Sequence, residues 1–154
     1  MCADLWSFAL STYARSGCET ACLRLQEQGA DVCLLLCGMW LEQRGVALET
    51  ERVQALQQLA RPWRTDVIEP LRHLRMQWRA LAQQDEPLAT LRERVKALEL
   101  DAERALLMRL ELLAQAWPTG VAGQQQWLEG LAAEDAANLD HDTLQQLRVV
   151  ATGT

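Results

Sequence analysis

The chain has 154 residues, 49% of them hydrophobic and 23% charged, with a formal net charge of −6. That length can bury a core without disulfide or metal staples, and the negative charge argues against bulk attraction to nucleic acid or anionic lipid. Of the 15 basic residues all but Lys96 are arginine, and β-branched residues are few beside Leu, Ala, Gln, Glu and Arg, a composition that favours helix.

Asp4 to about Ala14 reads as a first amphipathic helix. Ser16-Gly17-Cys18-Glu19 has the form of a capping box, so a second helix starts there and runs to Gln28, with Gly29 as its stop. Asp31 can cap a third helix that ends at Gly45, and Thr50 opens a fourth that reaches about Ala60. Pro62 fits the first turn of a fifth, to about Gln83; Pro70 lies inside it and removes a backbone hydrogen bond, so a kink is expected. Asp85 caps a sixth, with Pro87 in its first turn, and the apolar pattern continues to Trp117. About 30 residues at 1.5 Å each make about 45 Å of helix. A compact domain of this length has a radius of gyration of about 15 Å, so this helix either spans the molecule or projects from it. The stretch "PTGVAG" at 118–123 breaks the chain, and two short helices are expected after it, near 124–138 and 142–150. Neither a strand pattern nor an internal repeat is visible. The whole chain, 1–154, reads as one all-α domain, a compact bundle of about seven or eight helices with one long helix near 86–117.

The N-terminal "MCADLWSFAL" has no basic stretch followed by an apolar run, which leaves no signal-peptide pattern. The longest apolar run, 32–41, is half of the ~20 residues a membrane span needs. A cytoplasmic location and no membrane partner are expected. Five cysteines in a reducing compartment do not read as a disulfide framework.

Four of those cysteines form two C-x-x-x-C pairs, Cys18/Cys22 and Cys33/Cys37. On a helical wheel the third helix is apolar nearly all round, which places Cys33 and Cys37 in the dry centre of the bundle. Cys18 and Cys22 share the inner face of the second helix with Ala21 and Leu25. Twin disulfides Cys18–Cys37 and Cys22–Cys33 would be offset by about 6 Å along the axis, whereas bridged Cβ atoms stand ~4 Å apart. Zinc is less strict, since two i, i+4 pairs on facing helices can supply four thiolates. The neighbours, however, are Leu, Met and Trp rather than donors or cations. Packed thiols are the main reading, and Cys18, Cys22, Cys33 and Cys37 stand as the candidate metal or redox set. No cofactor is implied.

"RPWRTDVIEPLRHLRMQWRALA" carries the most organised charge pattern. At 100° per residue Trp63, Val67, Leu71, Leu74, Trp78 and Leu81 share one face, with Arg61, Arg64, Arg72, Arg75 and Arg79 on a single flank. Asp66, Glu69 and His73 fall on the other side. The flank reads either as arginine stems covering the rim of the core or as a strip for an acidic protein partner or a phosphate backbone. Both tryptophans face the core on this wheel, which argues against base stacking. On the long sixth helix Leu100 and Leu107, seven apart, form a second apolar stripe beside the main one. That stripe is covered either by the terminal helices or by another chain, a second copy included. The C-terminal segment is acidic, with Glu129, Glu134, Asp135, Asp140 and Asp142 against Arg148 alone, and offers a counter-surface to an arginine strip in the same chain or another.

His73 and His141 are the only histidines. Glu69 and His73 stand at i, i+4, whereas di-iron bundles use Glu-x-x-His at i, i+3 on two helices. Phosphate-loop, H-E-x-x-H and G-x-S-x-G patterns are absent, so no catalytic residue is assigned and no enzyme is expected.

The segments "DLWSFALSTYARSGCETACLRLQEQGADVCLLLCGMWLEQRG", "PWRTDVIEPLR" and "VKALELDAER" resemble a family of small proteobacterial proteins of unknown function. The resemblance covers roughly residues 4–115 and is carried most specifically by D-L-W and by G-A-D-V…L-L-L…W-L. Members often carry Asn at the position of Cys33 and Phe at that of Cys37, which fits packing at the second pair better than metal binding. The resemblance implies a helical, cytosolic bacterial protein and supplies no catalytic residues. The expected function is a non-enzymatic interaction, adaptor or regulatory protein, using Arg61, Arg64, Arg72, Arg75, Arg79, Leu100 and Leu107 toward a protein partner. A homodimer through the long helix is the self-association this allows. The alternatives are a small-molecule- or metal-binding domain built on the Cys-rich hairpin and, further off, an RNA-associated protein using the arginine strip.

Overall fold

A computed structural model of the chain describes residues 4–27, 30–123, 125–132 and 141–152, and these are all helix and connecting loop, with no strand among them. Leu5–Tyr13 forms α1, capped by the Asp4 side chain, which accepts from the Ser7 N–H. Cys18–Glu27 forms α2 and Val32–Arg44 forms α3. Helix α2 begins one residue later than the Ser16 capping box requires, after Gly17 at a φ of 87°. The expected stop at Gly29 lies outside the described residues. Asp31 caps α3 as expected, accepting from the Leu34 N–H, and Gly45 ends it in the left-handed region at φ 69°.

One expectation is corrected. The fourth and fifth helices are not separated near Pro62 but run on as one rod over 50–84. Thr50–Trp63 is α4, Arg64–Ile68 is a π-turn, Glu69–Leu81 is α5, and Ala82–Gln84 closes it as a 3₁₀ turn. Two prolines are tolerated because the ladder changes register between them. The Glu69 N–H reaches back five residues to the Arg64 carbonyl instead of four, which absorbs the bond that Pro70 cannot make. Counting that rod as one, there are seven helices among the described residues. Glu86–Ala114 is α6, 29 residues long, capped by Asp85 and ending three residues short of Trp117. Of the helix expected over 124–138, Trp127–Ala132 (α7) is described and the remainder lies outside the described residues. His141–Thr152 is α8.

Helix α3 is the centre. Every residue from Cys33 to Leu41 is buried. It packs against α1, α2, α4, α6, α7 and α8, which is why it is apolar on all sides. Its approach to α7 requires Gly38: a Cβ there would stand 2.8 Å from Leu131 Cδ1 and 3.4 Å from Trp127 Cβ. The 118–123 loop folds back on the end of α3, where Gly120 and Val121 N–H groups donate to the Arg44 and Gly45 carbonyls at 2.9 and 2.8 Å. Helices α5 and α6 form a hairpin that leaves this core. No residue from 69 to 98 is buried, so the hairpin projects from the bundle. None of the described helices is long and apolar enough to cross a membrane.

Candidate functional site

A cleft of about 580 Å³ opens between α1, α2 and the start of α3 on one side and the π-turn, α5 and α6 on the other. Ala9, Leu36, Ile68 and Leu107 supply its buried floor, and Trp6 and Val32 half-buried walls. Its rim is apolar and solvent-exposed: Leu10 51%, Tyr13 38%, Leu23 47% and Leu100 51%. The helical periods explain this convergence. Residues 100 and 107 stand one heptad apart on α6, so they share a face. That face opens on the cleft that Leu10 and Tyr13 of α1 and Leu23 of α2 also line.

The charges at one end of the cleft are paired among themselves. Arg72 Nε donates to Glu99 Oε2 at 3.1 Å and Arg75 Nε to Glu99 Oε1 at 2.6 Å. The Glu99 side chain is only 7% exposed, so two guanidiniums compensate one buried carboxylate. Arg72 Nη2 also lies 3.5 Å from Glu103 Oε1. Burial, then the neighbouring Glu99, pushes the Glu103 carboxyl above its ordinary range, and Arg72 pulls against them. Arg92 Nε donates to the Arg75 carbonyl at 2.9 Å and fixes the register of α5 on α6. Arg64, displaced by the extra residue of the π-turn, pairs with Glu69 at 2.9 Å.

Of the sequence candidates, Arg64, Arg72, Arg75, Leu100 and Leu107 therefore meet in one cleft, together with Cys22 and Cys33. Leu107 is buried in its floor, and Leu100 stands at its edge. Arg61 and Arg79 are exposed and do not line it. The acids that face Arg72 and Arg75 belong to α6, whereas Arg64 pairs with Glu69 of α5. Glu129 of the C-terminal segment instead pairs with Arg148, while Glu134, Asp135 and Asp140 lie outside the described residues. Trp63 is half-buried, its Nε1–H donating to the Ala102 carbonyl at 2.9 Å and its ring covered by Arg109 at 4.1 Å. His73 is exposed and away from the cleft.

Cys18, Cys22, Cys33 and Cys37 are all buried with free thiols. The thiol contact lies within α2, Cys18 Sγ to Cys22 Sγ at 3.8 Å, and not across the α2–α3 hairpin. Burial pushes the Cys33 and Cys37 thiols well up. Among the described residues no three His, Cys, Asp or Glu side chains are grouped to hold a metal ion.

Two residues of the cleft were missed by sequence reading. Tyr13 has its hydroxyl pushed up to about 12, first by burial and then by Cys22, Glu19 and Glu103. Glu99 had a legible signal. It falls between Val95 and Ala102 on the main apolar face of α6, and a carboxylate there needs a cationic partner.

A family model described as "Protein of unknown function (DUF2390)" matches residues 4–110, a span that contains every residue lining the cleft. No curated protein and no solved structure matches the chain.

Proposed function

We propose that this chain, which belongs to the DUF2390 family, is a non-enzymatic interaction protein that holds an apolar helical segment of a protein partner in the α1–α2–α6 cleft. The observation that carries this reading is the rim. Four large apolar side chains, Leu10, Tyr13, Leu23 and Leu100, stand exposed around one trough. Grouped exposed apolar surface of this kind marks a binding site, and side chains at i, i+3 and i+4 of an incoming helix fit such a groove. The cleft charges being paired with one another supports binding over acid–base chemistry. The only histidine whose side chain is described, His73, is outside the cleft.

A second reading, a small-molecule site walled by the Cys-rich hairpin, draws support from the cleft volume of about 580 Å³, within the usual range for ligand pockets. One experiment separates them. A photo-reactive amino acid is placed at position 100, and at position 112 as a control that is exposed but off the cleft. A discrete protein adduct at 100, absent at 112 and abolished by Leu23→Glu, is the expected outcome. An adduct of twice the chain mass names a second copy as the partner. No adduct at 100, with a small species retained in native mass spectrometry, overturns the protein-binding reading in favour of the small molecule.

A further inference from the structure

We propose that Cys18 and Cys22 form a redox-active dithiol that closes to a disulfide within α2. The inference does not rest on the proposed protein partner. Their sulfurs are already in contact at 3.8 Å. An i, i+4 pair inside a regular helix holds its Cβ atoms about 5–6 Å apart, whereas a disulfide needs them ~3.5–4.5 Å apart. One of the two residues must therefore leave ideal helical geometry. Cys18 is placed to do so. It is the first residue of α2, and Gly17 before it sits at φ 87°, a hinge available to glycine. The Cys18 N–H bonds to the Arg15 carbonyl in the preceding turn and not to the helix ladder. Cys33 and Cys37 have no such freedom, because both lie inside the buried run 33–41 of α3.

The electrostatics separate the two thiols. Cys18 is held below the ordinary thiol range, first by its hydrogen bond with Cys22 and then, against burial, by Arg15; Cys22 is pushed up by the same contact and by burial. Cys18 stands at the first residue of α2 beside the Gly17 hinge and is the one free to swing, so it is assigned as the nucleophile and Cys22, inside the helix, as the resolving thiol. Cys18 is fully buried and does not line the cleft, so a small oxidant such as a peroxide enters past Cys22, which does, and meets the Cys18 sulfur 3.8 Å away when the first turn of α2 opens at Gly17. The Cys18 thiolate attacks one peroxide oxygen, the O–O bond breaks, and the hydroxide released takes up the proton the thiol lost, giving Cys18 sulfenic acid and water. The Cys22 thiol then attacks the Cys18 sulfur, its proton leaving with the hydroxyl as a second water while the S–S bond forms. Two thiols lose two electrons and one peroxide is reduced to two waters. A dithiol reductant reverses the bridge by exchange.

The sequence makes the test direct. Cleavage after Arg15 and Arg24 releases residues 16–24, which contain Cys18 and Cys22 and no other cysteine, while Cys33 and Cys37 fall in 25–44. The full folded chain is treated with hydrogen peroxide, quenched in acid, alkylated and mapped by mass spectrometry. The expected result is a 16–24 peptide that escapes alkylation, two hydrogens lighter, formed about tenfold faster than any change in 25–44, and restored by dithiothreitol. In Cys22→Ser the bridge is lost and Cys18 is trapped as sulfenic acid by a carbon nucleophile. Equal oxidation of both peptides, a bridge between them, or a 16–24 peptide that reacts only in denaturant would each overturn the proposal, and these readings come from the unmutated chain.

Discussion

Tyr13 is the only tyrosine in the chain, so its ionisation can be read without interference. Its ring is packed at the cleft rim, and burial with nearby acidic groups moves its hydroxyl from 10.0 to about 12. The group ionises later folded than unfolded. Its contribution to stability is therefore complete below pH 10 and lost as pH rises through the folded value. Tyrosinate absorbance is expected to rise near pH 12 in the folded chain and near pH 10 in denaturant; coincident curves would show that the ring is solvated. Glu99 is the second residue on which the cleft turns. Removing its carboxylate takes away the group that joins Arg72 and Arg75 and leaves Glu103, on Arg72, as the remaining acid beside the two guanidiniums. Glu99→Ala is expected to cost about 3 kcal/mol, seen as a lower denaturant midpoint at unchanged slope.

At the scale of elements, the α5–α6 hairpin contrasts with α3. Residues 69–98 contain no buried side chain, and Leu81, Leu91 and Leu98 are exposed by about half or more. Local stability follows buried apolar contact, so amide exchange is expected to be fastest, among the helices, near the 82–86 turn and slowest in Cys33–Leu41. Uniform protection along α6 would refute the projecting arm. The caps of α3 and α6 were legible in sequence because each is decided by one side chain and its own helix: Asp31 and Asp85 at the starts, Gly45 at an end. The junction of α4 and α5 was not. Pro62 and Pro70 read locally as a start and a kink, but a π-turn is a shift of the whole ladder, which no single residue announces. The same shift defeats a wheel at constant pitch and brings Arg64 to Glu69. The arginine strip was legible as a row, but its acids on α6 depend on hairpin register, a tertiary fact.

At the scale of the molecule, α7 and α8 lie beyond the 4–110 family match, yet they close the core that the matched helices leave open. Trp127, Leu128, Leu131, Leu144 and Leu147 are buried, and α8 packs on α2 as well as on α3. What fixes α8 in register is one arginine. Arg148 Nε and Nη2 donate to Glu42 of α3 at 2.9 and 2.8 Å, and Nη2 reaches Glu129 of α7 at 2.7 Å. Three helices thus meet at a single nearly buried guanidinium. Arg148→Ala leaves Glu42, whose side chain is 9% exposed, beside Glu129 with no cation between them. Breaking such a cluster from one side costs about 3–5 kcal/mol, more than a surface pair returns. The cost should fall on the docking of α8 first. A global unfolding midpoint would then drop, and thiol reagents would reach the α2 cysteines faster, because α8 covers that helix. Arg148→Lys keeps the charge but not the two-pronged geometry, and is expected to lie between the two. If Arg148→Ala matched the unmutated chain in both stability and thiol reactivity, apolar burial alone would be holding α8, and the arginine would be a surface ion pair.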